Sequence, residues 1–276
     1  MYDINIVIVN WKMKDDVEKC LRNLYADLAD GGLSVVTQII DNSENADGIK
    51  EMLAVKFPQV IYTGSGGNIG FGKAQNLGFK KIAARFYLAL NPDIEFIGES
   101  NTFKRLMEFM EKNPQAGIIA PKLLNSDGTI QDSCYRFPPL TAQLARRAGL
   151  DKKFNFFKKR VDYYLMRDFN HSKTAAVDWV MGSFMLVRKE LADKIGFFDD
   201  RYFMYFEDCD WCRRTWRAGF KVFYVHDIII KHGHRRESAG RSVWQSIFKN
   251  QVSRIHLKSW AKYFWKWGIK KEHCGE

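Results

Sequence analysis

The stretch Phe86-Tyr87-Leu88-Ala89-Leu90-Asn91-Pro92-Asp93 is an apolar run that ends abruptly in a polar turn carrying one carboxylate. Its apolar part has the composition of a buried strand, which would deliver Asp93 to the rim of a sheet. Ligands of open α/β sheets bind just beyond the carboxyl ends of the strands, and an aspartate there can hold a hard cation that in turn holds a diphosphate. The stretch predicts a metal-bridged nucleotide site. The alternative is a simple turn, because Asn, Pro and Asp all favour turns.

The segments before this stretch alternate between predicted strands and predicted helices. Ile4–Val9 is rich in β-branched residues, as strands covered on both faces are, and Asp15–Leu28 has apolar residues at helical spacing. Ser34–Ile40 and Val60–Thr63 are two further strands, and a helix over Ala74–Ala84 precedes the stretch quoted above. This alternation predicts an α/β fold with one mostly parallel, Rossmann-like sheet flanked by helices.

A glycine-rich segment, Gly64-Ser65-Gly66-Gly67-Asn68-Ile69-Gly70-Phe71-Gly72, separates the third predicted strand from its helix. It does not fit the dinucleotide fingerprint, because after Gly64 and Gly66 the third glycine would fall on Ile69. It does not fit the Walker pattern either, because no Gly-Lys-Ser/Thr follows. The glycines therefore indicate a close approach of the backbone to another group, without a known phosphate motif.

The second half of the chain predicts shorter elements around an irregular stretch. Tyr135–Thr174 has no clear periodicity and is rich in basic residues, so we expect either a mobile segment that orders on a ligand or a solvated surface excursion. The elements predicted by pattern and turn residues are helices over Thr102–Glu111, Lys189–Ile195 and Arg213–Ala218, strands over Gly117–Ala120, Val177–Val187 (interrupted at Gly182-Ser183), Phe220–Val225 and Ile228–Ile230, and a turn between two strands at Asn125–Gly128.

Three acids lie at the start of the helix that leads through Arg213–Ala218, in Glu207-Asp208-Cys209-Asp210, directly after the largely aromatic run Phe203-Met204-Tyr205-Phe206. The helix dipole stabilises acids in the first turn, which explains part of this pattern. An acid beside apolar side chains also has its ionised form disfavoured and becomes a better base. The motif predicts a catalytic base, and an ordinary acidic helix start is the alternative.

Charge and cysteine content limit the class of protein. The chain has 276 residues and a net charge of +11, which favours an anionic partner such as a nucleotide, a lipid surface or a nucleic acid. Five irregularly spaced cysteines argue against a disulfide framework, and the isolated pair Cys209 and Cys212 does not predict a zinc site.

Met1–Asn10 lacks signal-peptide features, and no apolar run reaches the roughly 18 to 20 residues that cross a bilayer. We therefore expect a cytoplasmic protein, or a peripheral one on the inner face of the plasma membrane.

The segment after Ser242 is both aromatic and basic. Basic residues spaced four apart would climb one face of a helix there: Arg254, Lys258, Lys262, Lys266 and Lys270. A helix with basic and aromatic residues suits an anionic membrane surface. The equal alternative is a C-terminal helix docked on the core.

Placed in this order, the motifs resemble those of the family 2 glycosyltransferases, and within that family the rhamnosyltransferase-like group. The resemblance covers about Ile4 to Ser238 and implies the GT-A fold. It implies a glycosyltransferase domain over residues 1–240, with a nucleotide-sugar-binding half (1–121) and an acceptor and catalytic half (122–240), followed by a basic, aromatic C-terminal helix (241–276).

The resemblance also implies a donor site and a metal site. Leu90-Asn91-Pro92-Asp93 stands where the family has its metal-binding D-x-D; the first acid is replaced by Asn91, so a Mg²⁺ or Mn²⁺ ion would depend mainly on Asp93. His232 falls where many members have a third metal contact, and His234 is an alternative. The donor-binding residues that the resemblance implies are Asn10, Asp41, Asn42, Asn68, Gly70, Phe71, Asn76, Asn91 and Asp93.

On the acceptor side, the resemblance implies Asp208 as the catalytic base, with Glu207 or Asp210 orienting it or the acceptor. An inverting transfer is an in-line displacement at the anomeric carbon, so one carboxylate must take the proton of the acceptor hydroxyl. A cation must neutralise the departing diphosphate. The acceptor-binding residues implied are Gly182, Asp199 and Trp211.

The implied function is inverting, metal-dependent transfer of a sugar from a dTDP- or UDP-sugar, most readily dTDP-rhamnose, to a glycan or polyprenyl-linked acceptor of a surface polysaccharide. One alternative is a sugar nucleotidyltransferase, although Asn10-Trp11-Lys12 lacks the glycine-rich, basic signature usual after the first strand of such enzymes. Another is a non-catalytic basic protein that binds membranes or polysaccharide. A nucleic-acid partner is not expected, because the aromatic residues lie within apolar patterns rather than forming stacking platforms.

Overall fold

The computed structural model describes residues 1–29, 32–97, 101–233, 251–269 and 274. The strands are β1 (Tyr2–Asn10), β2 (Val35–Asp41), β3 (Ile61–Gly64), β4 (Ala84–Leu90), β5 (Ile94–Phe96), β6 (Ala116–Leu124), β7 (Cys134–Tyr135), β8 (Ala175–Ala176), β9 (Trp179–Val180), β10 (Phe184–Arg188) and β11 (Lys221–His232). The helices are α1 (Lys14–Leu28), α2 (Ile49–Lys56), α3 (Phe71–Lys81), α4 (Thr102–Lys112), α5 (Leu140–Arg147), α6 (Asn155–Tyr164), α7 (Lys189–Ile195), α8 (Glu207–Arg217) and α9 (Gln251–Trp267), with a 3₁₀ turn at Leu150–Lys152.

Most strands form one mixed sheet in the order β3-β2-β1-β4-β10-β6-β11-β5, with β8 paired to β11. β1 pairs in parallel with β2 and β4, and β2 pairs in parallel with β3. β10 is antiparallel to both β4 and β6, so β6 and its parallel partner β11 point the same way as β1 to β4. The carboxyl ends of β1 to β4, β6 and β11 and the amino end of β10 therefore share one edge of the sheet, called the carboxyl edge below.

Helices cover both faces of this sheet, which explains the apolar composition of β1. Ile6 and Ile8 are buried in a core that includes Leu21 of α1. Val7, which points to the opposite face, is buried in a second core with Phe79 of α3. Each fully buried aliphatic side chain of this kind stabilises the fold by about 1.5–3 kcal/mol.

α3 lies very close to β1 because it has a glycine at the contact. A Cβ on Gly78 would lie 2.6 Å from Cγ2 of Val7. The Gly78 carbonyl accepts hydrogen bonds from Asn5 Nδ2 at 3.2 Å and from Gln38 Nε2 at 2.8 Å. This contact fixes the position of α3, and with it the glycine-rich segment that enters α3 at the carboxyl edge.

Several predicted boundaries were wrong; the helix expected over Ala74–Ala84, for example, runs over Phe71–Lys81. The strands expected over Phe220–Val225 and Ile228–Ile230 are one strand, β11, whose register against β6 shifts between Val225 and Ile229. The helix expected from Arg213 already begins at Glu207. In the last two cases the sheet or the helix continues through a stretch whose local sequence resembles a break.

The segment Tyr135–Thr174 contains two helices and a 3₁₀ turn, in place of the irregular stretch that we expected. Aromatic stacking organises it, because the ring of Tyr135 lies 4.2 Å from that of Trp179 and 5.8 Å from that of Tyr164. Val161 is buried in the same cluster. These contacts join residues that are distant in sequence, so local periodicity does not reveal them.

In its described part the C-terminal helix α9 docks on the core. Tyr263 is buried against Phe206 and Cys209, and its hydroxyl accepts a hydrogen bond from Arg213 Nη1 at 3.2 Å. Lys270 lies outside the described residues. In the described ranges, no helix combines the length and the apolar character that a bilayer crossing requires.

Candidate active site

The two carboxylates predicted to do the chemistry, Asp93 and Asp208, both lie at the carboxyl edge beside the β4–β10 pair. Asn91, which follows β4, donates its backbone N–H to the carbonyl of Ser183 at 2.9 Å. The residue before Ser183, Gly182, donates its N–H to Asp208 Oδ2 at 2.9 Å. The turn with Asp93 and the helix start with Asp208 are therefore joined through two adjacent residues.

His232 ends β11 and faces Asp93. Its Nε2 lies 3.2 Å from Asp93 Oδ1 and 3.4 Å from Asn91 Nδ2, and its side chain is only 2% exposed. The next residue, Gly233, donates its N–H to the Asp93 carbonyl at 2.9 Å, which fixes the end of β11 against the turn after β4. The structure thus brings the predicted pair together, while His234 lies outside the described residues.

A chain of hydrogen bonds determines which nitrogen of His232 carries the proton. Asp127 lies at one end of this chain. A hydrogen bond from Thr129 lowers the pKa of Asp127, and its ionised carboxylate can only accept hydrogen bonds. Thr129 Oγ1 donates to Asp127 at 2.6 Å and accepts from Asn125 Nδ2 at 2.9 Å. Asn125 Oδ1 in turn accepts from Gln131 Nε2 at 2.9 Å, so Gln131 Oε1 faces His232 Nδ1, at 2.7 Å. Because Oε1 only accepts, Nδ1 carries a proton, and in the neutral imidazole the lone pair is then on Nε2, which faces the neighbouring carboxylate.

This arrangement fits a divalent cation. A carboxylate oxygen and an imidazole lone pair at 3.2 Å repel each other unless a proton or a cation lies with them. A metal-binding histidine usually donates its other N–H to an oxygen acceptor, as His232 does. No three His, Cys, Asp or Glu side chains of the described residues cluster as a complete metal site. Asp93 and His232 would thus supply two ligands, and Mg²⁺ or Mn²⁺ commonly completes its shell with water and phosphate oxygens.

Glu207 and Asp208 are adjacent but have different environments. Asp208 accepts the N–H of Gly182 and, at 2.7 Å, that of Cys209; burial nevertheless outweighs these hydrogen bonds and raises the pKa of Asp208 to about 6. Burial, followed by the charge of Asp208, raises the pKa of Glu207 well above its usual range. Burial therefore favours the neutral form of Glu207, whereas Asp208, with a pKa of about 6, is mostly ionised at pH 7 and can accept a proton.

The chain enters α8 through a strained turn. Tyr205 and Phe206 have φ values of 71° and 69°, in the left-handed region that bulky residues rarely adopt. Such residues cost about 1–3 kcal/mol each and persist where packing holds them. The ring of Phe206 packs 5.2 Å from that of Tyr263 on α9. The docked C-terminal helix thus supports the turn that aims Glu207 and Asp208.

Asp210, the third acid of the motif, anchors α8 and does not face the site. It is fully buried, and its Oδ1 accepts from Trp267 Nε1 at 2.8 Å and lies 2.6 Å from Lys266 Nζ. Its Oδ2 accepts from Arg214 Nε at 2.8 Å. A role for Asp210 in orienting the acceptor is therefore excluded by its position, and its carboxylate joins α8 to α9.

The predicted donor loop after β2 is built on Asp41. Its Oδ1 accepts from Asn10 Nδ2 at 3.0 Å and from the Ser43 hydroxyl at 2.6 Å, and its Oδ2 accepts from the Asn45 N–H at 2.6 Å and from the Tyr62 hydroxyl at 3.0 Å. Burial raises the pKa of Asp41, but these hydrogen bonds outweigh it and the net pKa is lowered. Because both Asp41 and Asn10 are buried, their side chains shape the loop rather than line its surface.

Gly70 explains the glycine requirement of the segment that precedes α3. A Cβ at Gly70, which has a φ of 90°, would lie 2.2 Å from the carbonyl oxygen of Phe203. The same carbonyl accepts the N–H of Phe71 at 2.9 Å. Asn68 Oδ1 accepts the Gly70 N–H at 3.1 Å, and Asn42 Nδ2 donates to the Gly70 carbonyl at 3.2 Å. The backbone approach predicted from the glycines is therefore to the chain itself, between the donor loop and the turn before α8.

The structure contradicts two of the predicted acceptor-binding residues. Trp211 is fully buried, with its ring 4.4 Å from that of Phe198 and its Nε1 donating to a backbone carbonyl. The Asp199 carboxylate accepts from Arg201 at 2.9 Å and from Lys266 at 2.8 Å. Burial raises the pKa of Asp199, but these two cations outweigh it and hold the pKa well below its usual range. Both residues are parts of the framework, because an acceptor could reach neither without displacing these partners.

Asn76, predicted to bind the donor, is also buried. Its Nδ2 donates to the Phe198 carbonyl at 2.8 Å and to Asp200 Oδ1 at 2.7 Å, and its Oδ1 accepts the Phe198 N–H at 3.0 Å. It braces the loop before α8.

Gln131 was missed at the level of sequence, which has no signal for it, because its partner His232 is 101 positions away. The predicted interruption at Gly182-Ser183 was the available signal for the loop that touches Asp208.

Comparison with known proteins identifies the family. A family model described as "Glycosyltransferase like family 2" matches residues 3–251. The N-acetylglucosaminyl-diphospho-decaprenol L-rhamnosyltransferase of Mycobacterium tuberculosis is 26% identical over 220 residues, which is 75% of this chain and 69% of that protein. The rhamnosyltransferase WbbL of Escherichia coli is 28% identical over 272 residues, which is 94% of this chain and 92% of that protein.

Solved structures confirm the fold. The mannosyltransferase PcManGT from Pyrobaculum calidifontis, in complex with GDP-Man and Mn²⁺, has a TM-score of 0.61 at 13% identity, covering 96% of this chain and 66% of that chain. GalNAc-T7 with UDP, GalNAc and Mn²⁺ has a TM-score of 0.56 at 15% identity, covering 86% of this chain and 45% of that chain. This chain thus spans less than two thirds of the length of either protein. The family match over most of the sequence, together with this likeness, shows that the chain belongs to the family 2 glycosyltransferases and has the GT-A fold.

Proposed function

We propose that the protein is an inverting, metal-dependent rhamnosyltransferase, which moves L-rhamnose from dTDP-rhamnose to a glycan or lipid-linked acceptor during synthesis of a cell-surface polysaccharide. The observation that carries this proposal is the placement of the Asp93–His232 pair and of Asp208 in neighbouring loops at the carboxyl edge. Two relatives named as rhamnosyltransferases support the choice of sugar.

The acceptor side of the reaction depends on Asp208. Its carboxylate takes the proton of the acceptor hydroxyl as that oxygen forms a bond to the anomeric carbon. The bond between the anomeric carbon and the diphosphate oxygen breaks with its electron pair going to dTDP. Because the attack comes from the side opposite the leaving group, the anomeric configuration inverts. Burial raises the pKa of Glu207 and so favours its neutral form, which adds no negative charge that would oppose ionisation of the base.

The leaving-group side depends on Asp93 and His232, which would hold a Mg²⁺ or Mn²⁺ ion. When bound, such a cation neutralises the negative charge that develops on the departing diphosphate. A mixed set of carboxylate and imidazole suits Mn²⁺ better than Mg²⁺, because imidazole is a softer ligand than oxygen. Two structural neighbours were solved with Mn²⁺, which supports this preference.

The acceptor class follows from the relatives. The Mycobacterium tuberculosis relative acts, by its name, on N-acetylglucosaminyl-diphospho-decaprenol. We infer that this protein takes a sugar linked through a diphosphate to a polyprenyl chain, presented at the cytoplasmic face of the plasma membrane. The buried free thiols of Cys20, Cys134, Cys209 and Cys212 are consistent with a reducing compartment.

A donor panel tests the proposal. The purified protein is incubated with a polyprenyl-diphosphate-linked N-acetylglucosamine and, in turn, dTDP-rhamnose, dTDP-glucose, UDP-glucose and GDP-mannose, with Mn²⁺ or with EDTA. We expect transfer from dTDP-rhamnose only with the metal, and a product whose anomeric configuration is opposite to that of the donor, as measured by NMR. Transfer from UDP-glucose alone would assign another sugar, and undiminished transfer in EDTA would exclude a metal-dependent reaction. Release of pyrophosphate from a nucleoside triphosphate would instead support a nucleotidyltransferase.

A further inference from the structure

The stretch around α6 is the most basic one among the described residues of the acceptor half of the chain. Between Leu144 and Arg160 the only acid is Asp151. The same stretch contains the basic residues Arg146, Arg147, Lys152, Lys153, Lys158, Lys159 and Arg160. These basic side chains are all exposed, apart from that of Arg147, which is not among the side chains that the structure describes.

α6 has an inner and an outer face, and the outer face is unusually apolar. Val161 and Tyr164 point inward and are buried. On the outer face Phe156 is 61% exposed, and Phe154, just before the helix, is 55% exposed. The Arg160 guanidinium lies 4.4 Å from the centre of the Phe156 ring. The rings of Phe154 and Phe156 lie 6.4 and 5.4 Å from the ring of Phe157, but more than half of each side chain remains exposed to solvent.

This surface lies beside the acceptor side of the site. Val161 and Tyr164 of the inner face belong to a buried cluster against which Met181 packs, and Met181 directly precedes Gly182, whose N–H holds Asp208. Tyr164 is near enough to Asp208 for the aspartate charge to contribute to the raised pKa of the tyrosine, after the larger effect of burial. A partner bound to the outer face of α6 would therefore be close to the base that activates the acceptor.

We propose that residues 152–160, called the α6 surface, dock the protein on an anionic lipid bilayer, and this inference rests on the lipid-linked acceptor of the proposed function. Two exposed phenylalanines beside several lysines and an arginine have the composition of a helix that lies in the membrane interface. The phenylalanines insert below the headgroups and the cations contact anionic phosphates. Docking there brings the diphosphate-linked sugar of a membrane-anchored acceptor to Asp208 while its polyprenyl chain stays in the bilayer.

The basic face of α9, for which the sequence left membrane contact and docking on the core equally open, is partly used within the protein. Lys266 contacts the carboxylates of Asp199 and Asp210, and Lys262 donates to a backbone carbonyl. α9 still exposes Trp265, at 85%. Trp265 therefore offers a matched control, because it is another exposed aromatic residue on a basic helix.

Vesicle co-sedimentation of the full chain tests the proposal. The vesicles are phosphatidylcholine alone or phosphatidylcholine mixed with phosphatidylglycerol. The variants are a double aromatic variant (Phe154→Ser with Phe156→Ser), a triple charge variant (Lys152→Gln, Lys153→Gln and Lys159→Gln) and, as the control, Trp265→Ser. We expect the wild type to bind only the anionic vesicles. The charge variant should bind on the order of 100-fold more weakly, because each cation near an anionic surface contributes about fivefold.

The aromatic variant should also lose most of its vesicle binding, and Trp265→Ser should bind like the wild type. Circular dichroism and the melting temperature control for folding, which substitutions at exposed positions should leave unchanged. Wild-type binding by both α6 variants would overturn the proposal, as would loss of binding in Trp265→Ser alone. Binding of single-stranded DNA with no binding of vesicles would assign the surface to a nucleic acid and would also overturn it.

Transfer assays separate this inference from the proposed function. With a short-chain acceptor that dissolves in water, the α6 variants should have the wild-type kcat/KM. With a polyprenyl acceptor in anionic vesicles, their rate should fall along with their vesicle binding. Wild-type protein that binds vesicles but transfers to neither acceptor would contradict the proposed function and leave the membrane surface supported. Wild-type protein that transfers to the soluble acceptor but binds no anionic vesicles would contradict the membrane surface alone.

Discussion

Replacing Gln131 by leucine should weaken binding of Mn²⁺, although Gln131 is not itself a metal ligand. Its Oε1 accepts the Nδ1–H of His232 at 2.7 Å, and both side chains are buried. Leucine leaves that N–H without an acceptor, and an unsatisfied buried donor costs about 1–3 kcal/mol. His232 can avoid the cost by rotating or by moving the proton to Nε2, and either change removes the lone pair from the cation. We therefore expect about 10- to 100-fold weaker Mn²⁺ binding, the range found for partners of metal-binding histidines.

The affinity is measured from the electron paramagnetic resonance signal of free Mn²⁺, titrated in the presence of saturating dTDP. Gln131→Glu is the second variant: its carboxylate still accepts from Nδ1, although it no longer donates to Asn125 Oδ1, so Mn²⁺ affinity should fall less than in Gln131→Leu. Gln115→Leu, the same substitution at an exposed glutamine just before β6, is the matched control and should change nothing. ¹⁵N NMR of the imidazole gives the tautomer independently of activity. Wild-type affinity in Gln131→Leu, with the Nδ1-protonated ring retained, would refute the reasoning.

Three further predictions concern the framework and the base. Lys266→Met leaves the buried carboxylate of Asp210 without its lysine partner at 2.6 Å, so urea denaturation should show a loss of about 3 kcal/mol, typical of a broken buried pair. A loss below about 0.5 kcal/mol would mean that the pair behaves as a surface one. Gly70→Ala would put a Cβ 2.2 Å from the Phe203 carbonyl oxygen, and the melting temperature should fall by several degrees; an unchanged value would contradict the close contact. Because Asp208 must be ionised to accept a proton and its pKa is raised to about 6, kcat/KM should rise with pH through about 6 and fall about tenfold below its plateau at about pH 5. A flat profile between pH 5 and 8 would contradict a base with this pKa.

The sequence predicts the donor half of the fold well because its elements are regular. β1 and β4 are buried on both faces, so their apolar composition is unambiguous, and the polar turn after β4 locates Asp93 without any tertiary information. His232 was reached through the family resemblance alone. Its acceptor Gln131 could not be found in this way, because the contact depends on how the turn after β6 folds back beside β11.

The errors on the acceptor side have a common physical cause. α6 lacks a clear amphipathic pattern because Phe156 lies on its outer face, so the stretch looked irregular in sequence. The same exposed ring is part of the surface that we assign to the membrane. Asp199 and Trp211 were assigned to the acceptor through the family resemblance alone, whereas Lys266, which binds Asp199, comes 67 positions later. Long-range partners of this kind decide whether a polar or aromatic side chain is exposed.

The most direct test compares two neighbouring amide substitutions, Asp208→Asn and Glu207→Gln, in transfer from dTDP-rhamnose. If Asp208 is the base, Asp208→Asn should lower kcat by about 10²- to 10⁴-fold, the usual contribution of a positioned base, and dTDP binding measured by calorimetry should be unchanged. Glu207→Gln should keep most of the activity, because burial raises the pKa of the glutamate and favours its neutral form, which glutamine resembles. Near wild-type transfer by Asp208→Asn, or the reverse order of the two variants, would contradict the assignment of Asp208 as the group that activates the acceptor.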